Sequence, residues 1–322
     1  MLSKEAWLAI GALCVAAVLA GSHRSRSAYK WNKELLETGL ERPPLWIYVN
    51  EGDVNSRWWA DFGGRSSRAL NIPLYNICYE TIANKNGQLY RIEVIRGLSD
   101  LALRLGGWAE LPLSLRNPLA PVGRAEVDWI RSIVLARWGG VWVSPFEICV
   151  KGLPMLPKDT VVAFGTDWTV SNAGRDGTPA PGSRILWSPR PGLRMFTEWE
   201  RICRQRVEEQ GGGRQVRNDF AEDWTRLSTG CTAEGVQVEI WNAAELDRQG
   251  AAGRRIDATE WLASGLEGRL PFEIPDCVYF VPIPYDEIIL RRNLGWILRM
   301  SDSQILEADI AIRYIFDKAS TA

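Results

Sequence analysis

"RWGGVWVSPFEICVKGLP", residues 137–154, is the stretch whose reading decides the fold. Two glycines follow an aromatic residue. Glycine accepts the backbone angles of a sharp helix stop and allows a neighbour to approach closely. "VWVSPF" (141–146) then reads as a buried strand cut off at Pro145, because proline donates nothing to a strand ladder. Upstream, "RAEVDWIRSIVLARW" (124–138) puts Val127, Ile130, Val134 and Leu135 on one face, which predicts a helix ending at Gly139-Gly140. Helix, glycine stop and strand form one unit of an α/β sheet. The strand's far end brings side chains to the rim where such sheets bind ligands.

The same alternation runs along the chain. "LWIYVN" (45–50), "LYRIEVI" (89–95), "VVAFGT" (161–166), "RILWSP" (184–189), "VQVEIWN" (236–242) and "CVYFVPIP" (277–284) read as strands. "YNICYETIANKN" (75–86), "LSDLALRLGGW" (98–108), "GLRMFTEWERICRQRVEEQ" (192–210) and "SQILEADIAIRYIFDKA" (303–319) read as helices or helix ends. A helical pattern is also expected over 53–71, and "NAGRDGTPAPGS" (172–183) reads as a flexible or substrate-covering loop. The expected fold class is α/β, with a largely parallel sheet flanked by helices.

Composition narrows the chemistry. The chain has 322 residues with a formal charge of −1, so bulk charge gives no sign of nucleic-acid binding. Its single histidine, His23, rules against Ser-His-Asp or Cys-His catalysis and against zinc held by histidine pairs. Acid–base work falls to carboxylates, Tyr, Cys or Lys. The six cysteines contain no C-x-x-C pair and read as buried free thiols rather than a disulfide framework, which favours a reducing compartment. Sixteen tryptophans are many for this length. They serve as packing anchors or as flat faces for a sugar or base.

"AWLAIGALCVAAVLAG" (6–21) is uninterrupted and apolar, and "SHRSRSAYKWNK" after it is basic. The segment falls short of the roughly 20 residues that span a bilayer, and interfacial residues would have to complete it. The positive flank favours an uncleaved anchor with the main domain in the cytosol. A signal peptide cleaved after Val18-Leu19-Ala20, or a lumenal type II arrangement in the ER or Golgi, is the alternative. The expected organisation is an anchor at 1–22, a basic stem at 23–43 and one domain at 44–322.

Residues 126–154 resemble the signature of the capsular-polysaccharide-synthesis and DXD-containing sugar transferases, a GT-A-like group. Their pattern runs Ser-Asp, two residues, Arg, an apolar stretch, Tyr-Gly-Gly and a short strand, then Asp with a second Asp or Thr two places on. This chain supplies Asp128, Arg131, Trp138 in the Tyr place, Gly139, Gly140, Val141 and Trp142 without gaps. "PPLWIYVNEGD" (43–53) is similar to the group's first strand and "RILWSPRPGLRMFTEWERICRQ" (184–205) to a later strand–helix unit. The resemblance implies a GT-A-like fold, a nucleotide-sugar donor and a glycan acceptor. It assigns Ile47, Tyr48, Asp128, Arg131, Gly139, Gly140, Trp142 and Ser144 to the donor site. From the residues alone, Asp128 and Arg131 lie on one helical face and either pair or face a ligand together.

The departure is "SPFE" (144–147). Where the family carries a carboxylate for Mg²⁺ or Mn²⁺, this chain has Ser144, a poor primary ligand. Glu147 and Asp167 are the candidate metal ligands, with Asp176 further on, and Glu147 and Asp286 the candidate catalytic carboxylates. Arg131 or Arg175 would neutralise phosphate without a metal. Two further readings stand beside a transferase: a degenerate relative that binds or scaffolds glycan assembly, and a membrane-tethered structural protein.

Overall fold

A computed structural model of the chain describes residues 42–50, 58–59, 64–65, 72–117, 122–166, 180–211, 220–231, 234–246, 256–266, 268–291 and 293–321. The expected anchor at 6–21 lies outside them, as do all of the stem but residues 42 and 43, Asp167, Arg175 and Asp176. Among the described residues no helix is long and apolar enough to cross a membrane. Pro44–Ala322 form one compact unit.

The strands are β1 (Pro44–Val49), β2 (Trp58–Trp59), β3 (Gly64–Arg65), β4 (Arg91–Arg96), β5 (Gly140–Val143), β6 (Glu147–Cys149), β7 (Thr160–Thr166), β8 (Pro181–Ser188), β9 (Gln237–Trp241) and β10 (Phe280–Pro282). The helices are α1 (Ile72–Asn86), α2 (Gly97–Leu105), α3 (Arg124–Trp138), α4 (Arg194–Gly211), α5 (Phe220–Cys231), α6 (Ala258–Trp261), α7 (Tyr285–Leu290), α8 (Asp302–Glu307) and α9 (Ala311–Thr321). Six strands form one sheet in the order β4-β1-β5-β8-β7-β9. β8 runs antiparallel to both of its neighbours, and the other five strands are mutually parallel. This mixed sheet flanked by helices fits the GT-A-like architecture implied by the resemblance.

Alternation along the strands explains the layers. Trp46, Tyr48, Trp142, Ala163 and Leu186 share one face and pack under α2, α3, α4 and α5. Leu45, Ile47, Val141, Val143, Phe164 and Ile185 share the other. There they meet Ile82 of α1, Cys149 of β6 and Phe280 of β10, and a further apolar cluster joins α1 to the C-terminal helices. Both faces are covered, so the central strands read as unbroken apolar runs. Tryptophan serves mainly this packing: Trp46, Trp129, Trp142, Trp187, Trp199, Trp224 and Trp261 are all buried, while Trp296 is exposed. Cys78, Cys149, Cys203 and Cys231 are buried free thiols, and Cys277 is a free exposed one.

Two expectations need correction. The helical pattern over 53–71 fails where it is described, because Trp58–Trp59 pairs antiparallel with Gly64–Arg65. The single C-terminal helix expected over 303–319 is two helices. Ala308 leaves helical geometry, Ile310 bridges to Ser264, and the Ala311 amide donates to the Ala263 carbonyl. A tertiary strand contact thus outweighs local helix propensity there.

The candidate site at the carboxyl end of the sheet

β1 is followed in the chain by β4 on one side and β5 on the other, so the strand order reverses between β1 and β5. A crevice opens at such a switch point, outside the carboxyl ends of the parallel strands. Asn50 follows β1 there and Ser144 follows β5. Ser144 is fastened to β8: its amide N–H and its Oγ both donate to the Arg184 carbonyl, at 2.9 and 3.0 Å. The antiparallel run of β8 therefore sets Arg184 directly beside Ser144.

Arg184 meets two carboxylates. Its Nε donates to Oε1 of Glu147 and lies 3.3 Å from Oε1 of Glu245, and its Nη2 donates to the Phe146 carbonyl at 3.3 Å. The Glu147 side chain is 0% exposed and that of Glu245 2%, whereas the Arg184 side chain is 25% exposed. Oε2 of Glu147 accepts no hydrogen bond among the described residues. Burial disfavours the charged carboxylate and pushes the Glu147 pKa up to about 7, with the Arg184 charge pulling the other way. Room for Glu245 comes from Gly165. A Cβ on Gly165, at φ +71°, would lie 2.2 Å from Glu245 Oε2, and one on Gly182 3.4 Å away.

Glu147 reaches this position because Pro145 and Phe146 turn the chain after β5 and β6 then pairs with β10, setting Glu147 opposite Pro282. The turn is clamped by aromatic packing. Phe146 stacks on Tyr285 with centroids 3.7 Å apart and meets Tyr75 at 4.5 Å. Asp286, next in sequence to Tyr285, belongs to α7, so the backbone of that candidate stands beside the 144–147 segment.

The other expected site residues divide by position. Ile47 and Trp142 are buried on opposite sheet faces, in the core. Tyr48 is buried on the Trp142 face, near the carboxyl end of β1. Asp128 and Arg131 do pair, at 3.2 Å, but inside the protein. The Arg131 guanidinium lies over the Trp142 ring at 5.9 Å and donates through Nη1 to the Ser183 carbonyl. Of the two alternatives open from the sequence, the pairing of Asp128 with Arg131 is the one the structure displays. Gly139 and Gly140 stand at the amino end of β5, and even Gly140 is four residues and roughly 13 Å from Ser144. Their close neighbours are protein backbone: a Cβ on Gly140 would meet the Pro44 carbonyl oxygen at 2.2 Å, and one on Gly139 the Arg190 carbonyl carbon at 2.9 Å. In the acidic run at 219–223, Asp219 lies outside the described residues and Asp223 is held by Arg206 through two contacts.

Of the candidate metal ligands, Glu147 is described, and Asp167 and Asp176 lie outside the described residues. No group of three or more His, Cys, Asp or Glu among the described residues could hold a metal ion, and Glu147 is already engaged by Arg184. Sequence reasoning missed Arg184 and Glu245. The available signals were a glycine inside the β7 strand and a basic residue within the apolar β8 strand.

No protein-family model matches the chain, and no curated protein matches it. Among solved structures it is similar to "PaToxG Glycosyltransferase", with 13% sequence identity, 65% of this chain and 80% of that chain covered, and a TM-score of 0.37. A likeness this distant carries no assignment.

Proposed function

We propose that this protein is a glycosyltransferase that takes a sugar from a nucleotide-sugar donor and passes it to a glycan acceptor. The observation that carries the reading is the course of residues 126–147. The gap-free Asp128–Trp142 signature leads, through β5, to Ser144 and Arg184 at the switch point of the sheet, where an α/β sheet takes a nucleotide. The donor's diphosphate lies over the ends of β1 and β5. Ser144 stands at that rim, and Asp286 on α7 is the candidate base toward the acceptor. Glu147 acts from behind Arg184, because its burial keeps it from acceptor contact. The apolar segment at 6–21 tethers the domain to a membrane, with the domain on the cytosolic side.

The test is thermal shift of the full chain with UDP-, GDP- and CMP-sugars, each with Mn²⁺ and with EDTA. One donor class should raise Tm, and no shift with any of them would sink the reading. The replacement of the metal-binding carboxylate by Ser144 favours a second reading, a non-catalytic relative that binds donor or glycan as a scaffold. Release of the donor's nucleotide over time, UDP or GDP from the diphosphate sugars and CMP from the CMP-sugars, separates the two.

A further inference from the structure

We infer that Arg131 is a positioning residue of the crevice: from α3 it holds a bulge in β8, and through that bulge it fixes Ser144 at the rim. The inference rests on the donor reading above and deepens it, since the crevice is where that reading seats the nucleotide.

The bulge shows in the strand register. Phe164 of β7 pairs with Ile185 and Thr166 with Pro181, so Gly165 alone stands against Gly182, Ser183 and Arg184. Such an irregularity interrupts the ladder, bends its strand and re-aims a side chain. By strict alternation residue 184 would lie on the face of Leu186, under α3. The Arg184 side chain instead meets Glu147, whose charge bears on Cys78 of α1 on the other face. Gly182 lets β8 run close to β7 here: a Cβ on it would meet the Phe164 carbonyl oxygen at 2.8 Å.

An interrupted ladder needs other partners for its backbone. Arg131 supplies one, donating through Nη1 to the Ser183 carbonyl. Asp128, 3.2 Å from Arg131 Nη2, steadies the guanidinium, and both side chains are buried. The next carbonyl along β8, that of Arg184, accepts from the Ser144 amide and from its Oγ. The grip of α3 on β8 is thus one residue away from the group that holds Ser144. A buried ion pair is a weak source of stability, because desolvation offsets its attraction. A planar guanidinium that takes a carboxylate and a main-chain carbonyl together is a source of position. Asp128 and Arg131 serve the crevice in this way, through β8.

The experiment uses the full chain and two variants. Asp128→Asn with Arg131→Met removes both charges, so no buried ion is stranded. Arg131→Lys keeps the charge beside Asp128 and loses the planar fork. Amide hydrogen exchange, resolved by NMR, should show Ser144 exchanging roughly tenfold faster in both variants relative to Val141 and Val143 of the same strand, in line with the loss of one supporting hydrogen bond. UDP, GDP and CMP are the binding probes, by calorimetry. Whichever binds the wild type should bind the variants roughly tenfold more weakly. Unchanged Ser144 exchange overturns the inference, whatever the nucleotides do. So does faster exchange along all of β5, which is the mark of lost stability alone. Faster Ser144 exchange with unchanged nucleotide affinity overturns the role in the crevice and leaves the donor reading standing. If no nucleotide binds the wild type, the donor reading fails, and Ser144 exchange alone then decides whether Arg131 positions the rim. Should the double variant fail to fold, Arg131→Lys carries both measurements.

Discussion

Replacing Glu147 by Gln should flatten the pH dependence of stability. Glu147 is fully buried, and its proton affinity is raised from the ordinary 4.5 to about 7, by burial first and against the pull of Arg184. Between those values the folded chain holds a proton that the unfolded chain has released. Stability from this group is therefore complete below about pH 4.5 and is lost as pH rises through about 7. At ~1.4 kcal/mol per pH unit, the full loss by pH 8 is on the order of 3 kcal/mol. The groups that bear on Glu147 are Arg184 on β8, with Glu245 behind it, Cys78 on α1 and Cys149 on its own strand. Both cysteines are themselves pushed to high pKa by burial and stay neutral through this range. Urea unfolding of wild type and Glu147→Gln at pH 4.5, 6 and 8 isolates the effect, because other titrating groups cancel in the difference. The wild type should lose roughly 3 kcal/mol relative to the variant across that range. Parallel curves would refute the reasoning and mean that Arg184 compensates an ionised Glu147 throughout.

Gly140→Ala should cost roughly 3 kcal/mol or more, from the positive φ of +90° and the collision with the Pro44 carbonyl, read by urea denaturation. A loss under 1 kcal/mol, roughly the cost of a tolerated swap, would contradict the close packing of β5 on β1. Arg131→Met should destabilise by about 3–5 kcal/mol, because Asp128 stays buried without its partner. Asp128→Asn combined with Arg131→Met should recover a good part of that loss, and strict additivity would contradict an internal pair. Ser144→Asp should bring no gain in Mn²⁺ affinity by calorimetry, since the neighbouring Glu147 is engaged by Arg184. A clear gain would show that the family's metal geometry persists.

The helix–glycine–strand unit was legible because each part has a local cause: a 3.6-residue apolar period, a glycine stop and a proline cut. The same holds for most strands, whose apolar runs reflect a sheet covered on both faces. The chemistry of the rim was harder to see. Glu147 was singled out from its place after the strand, but its partner Arg184 lies 37 positions away and meets it only because β8 runs antiparallel. Glu245 comes from a third segment, and nothing near it in sequence marks it as buried. Its trace was indirect, in Gly165, whose missing side chain leaves its carboxylate room. The glycines of the motif misled in the opposite direction. Gly139 and Gly140 are required, but for the approach of Pro44 and Arg190 rather than of a ligand. The C-terminal helix was over-extended because its break depends on a bridge to Ser264, nearly fifty positions earlier.

The central claim is that a nucleotide-sugar sits at the carboxyl ends of β1 and β5, beside Ser144. Photolabelling the full chain with an azido-uridine diphosphate sugar, followed by peptide mapping, tests it most directly. The account predicts label that excess UDP competes away, on the segments at 44–50, 140–147 or 181–188. Saturable label confined to other parts of the chain, or label that UDP does not displace, would contradict it.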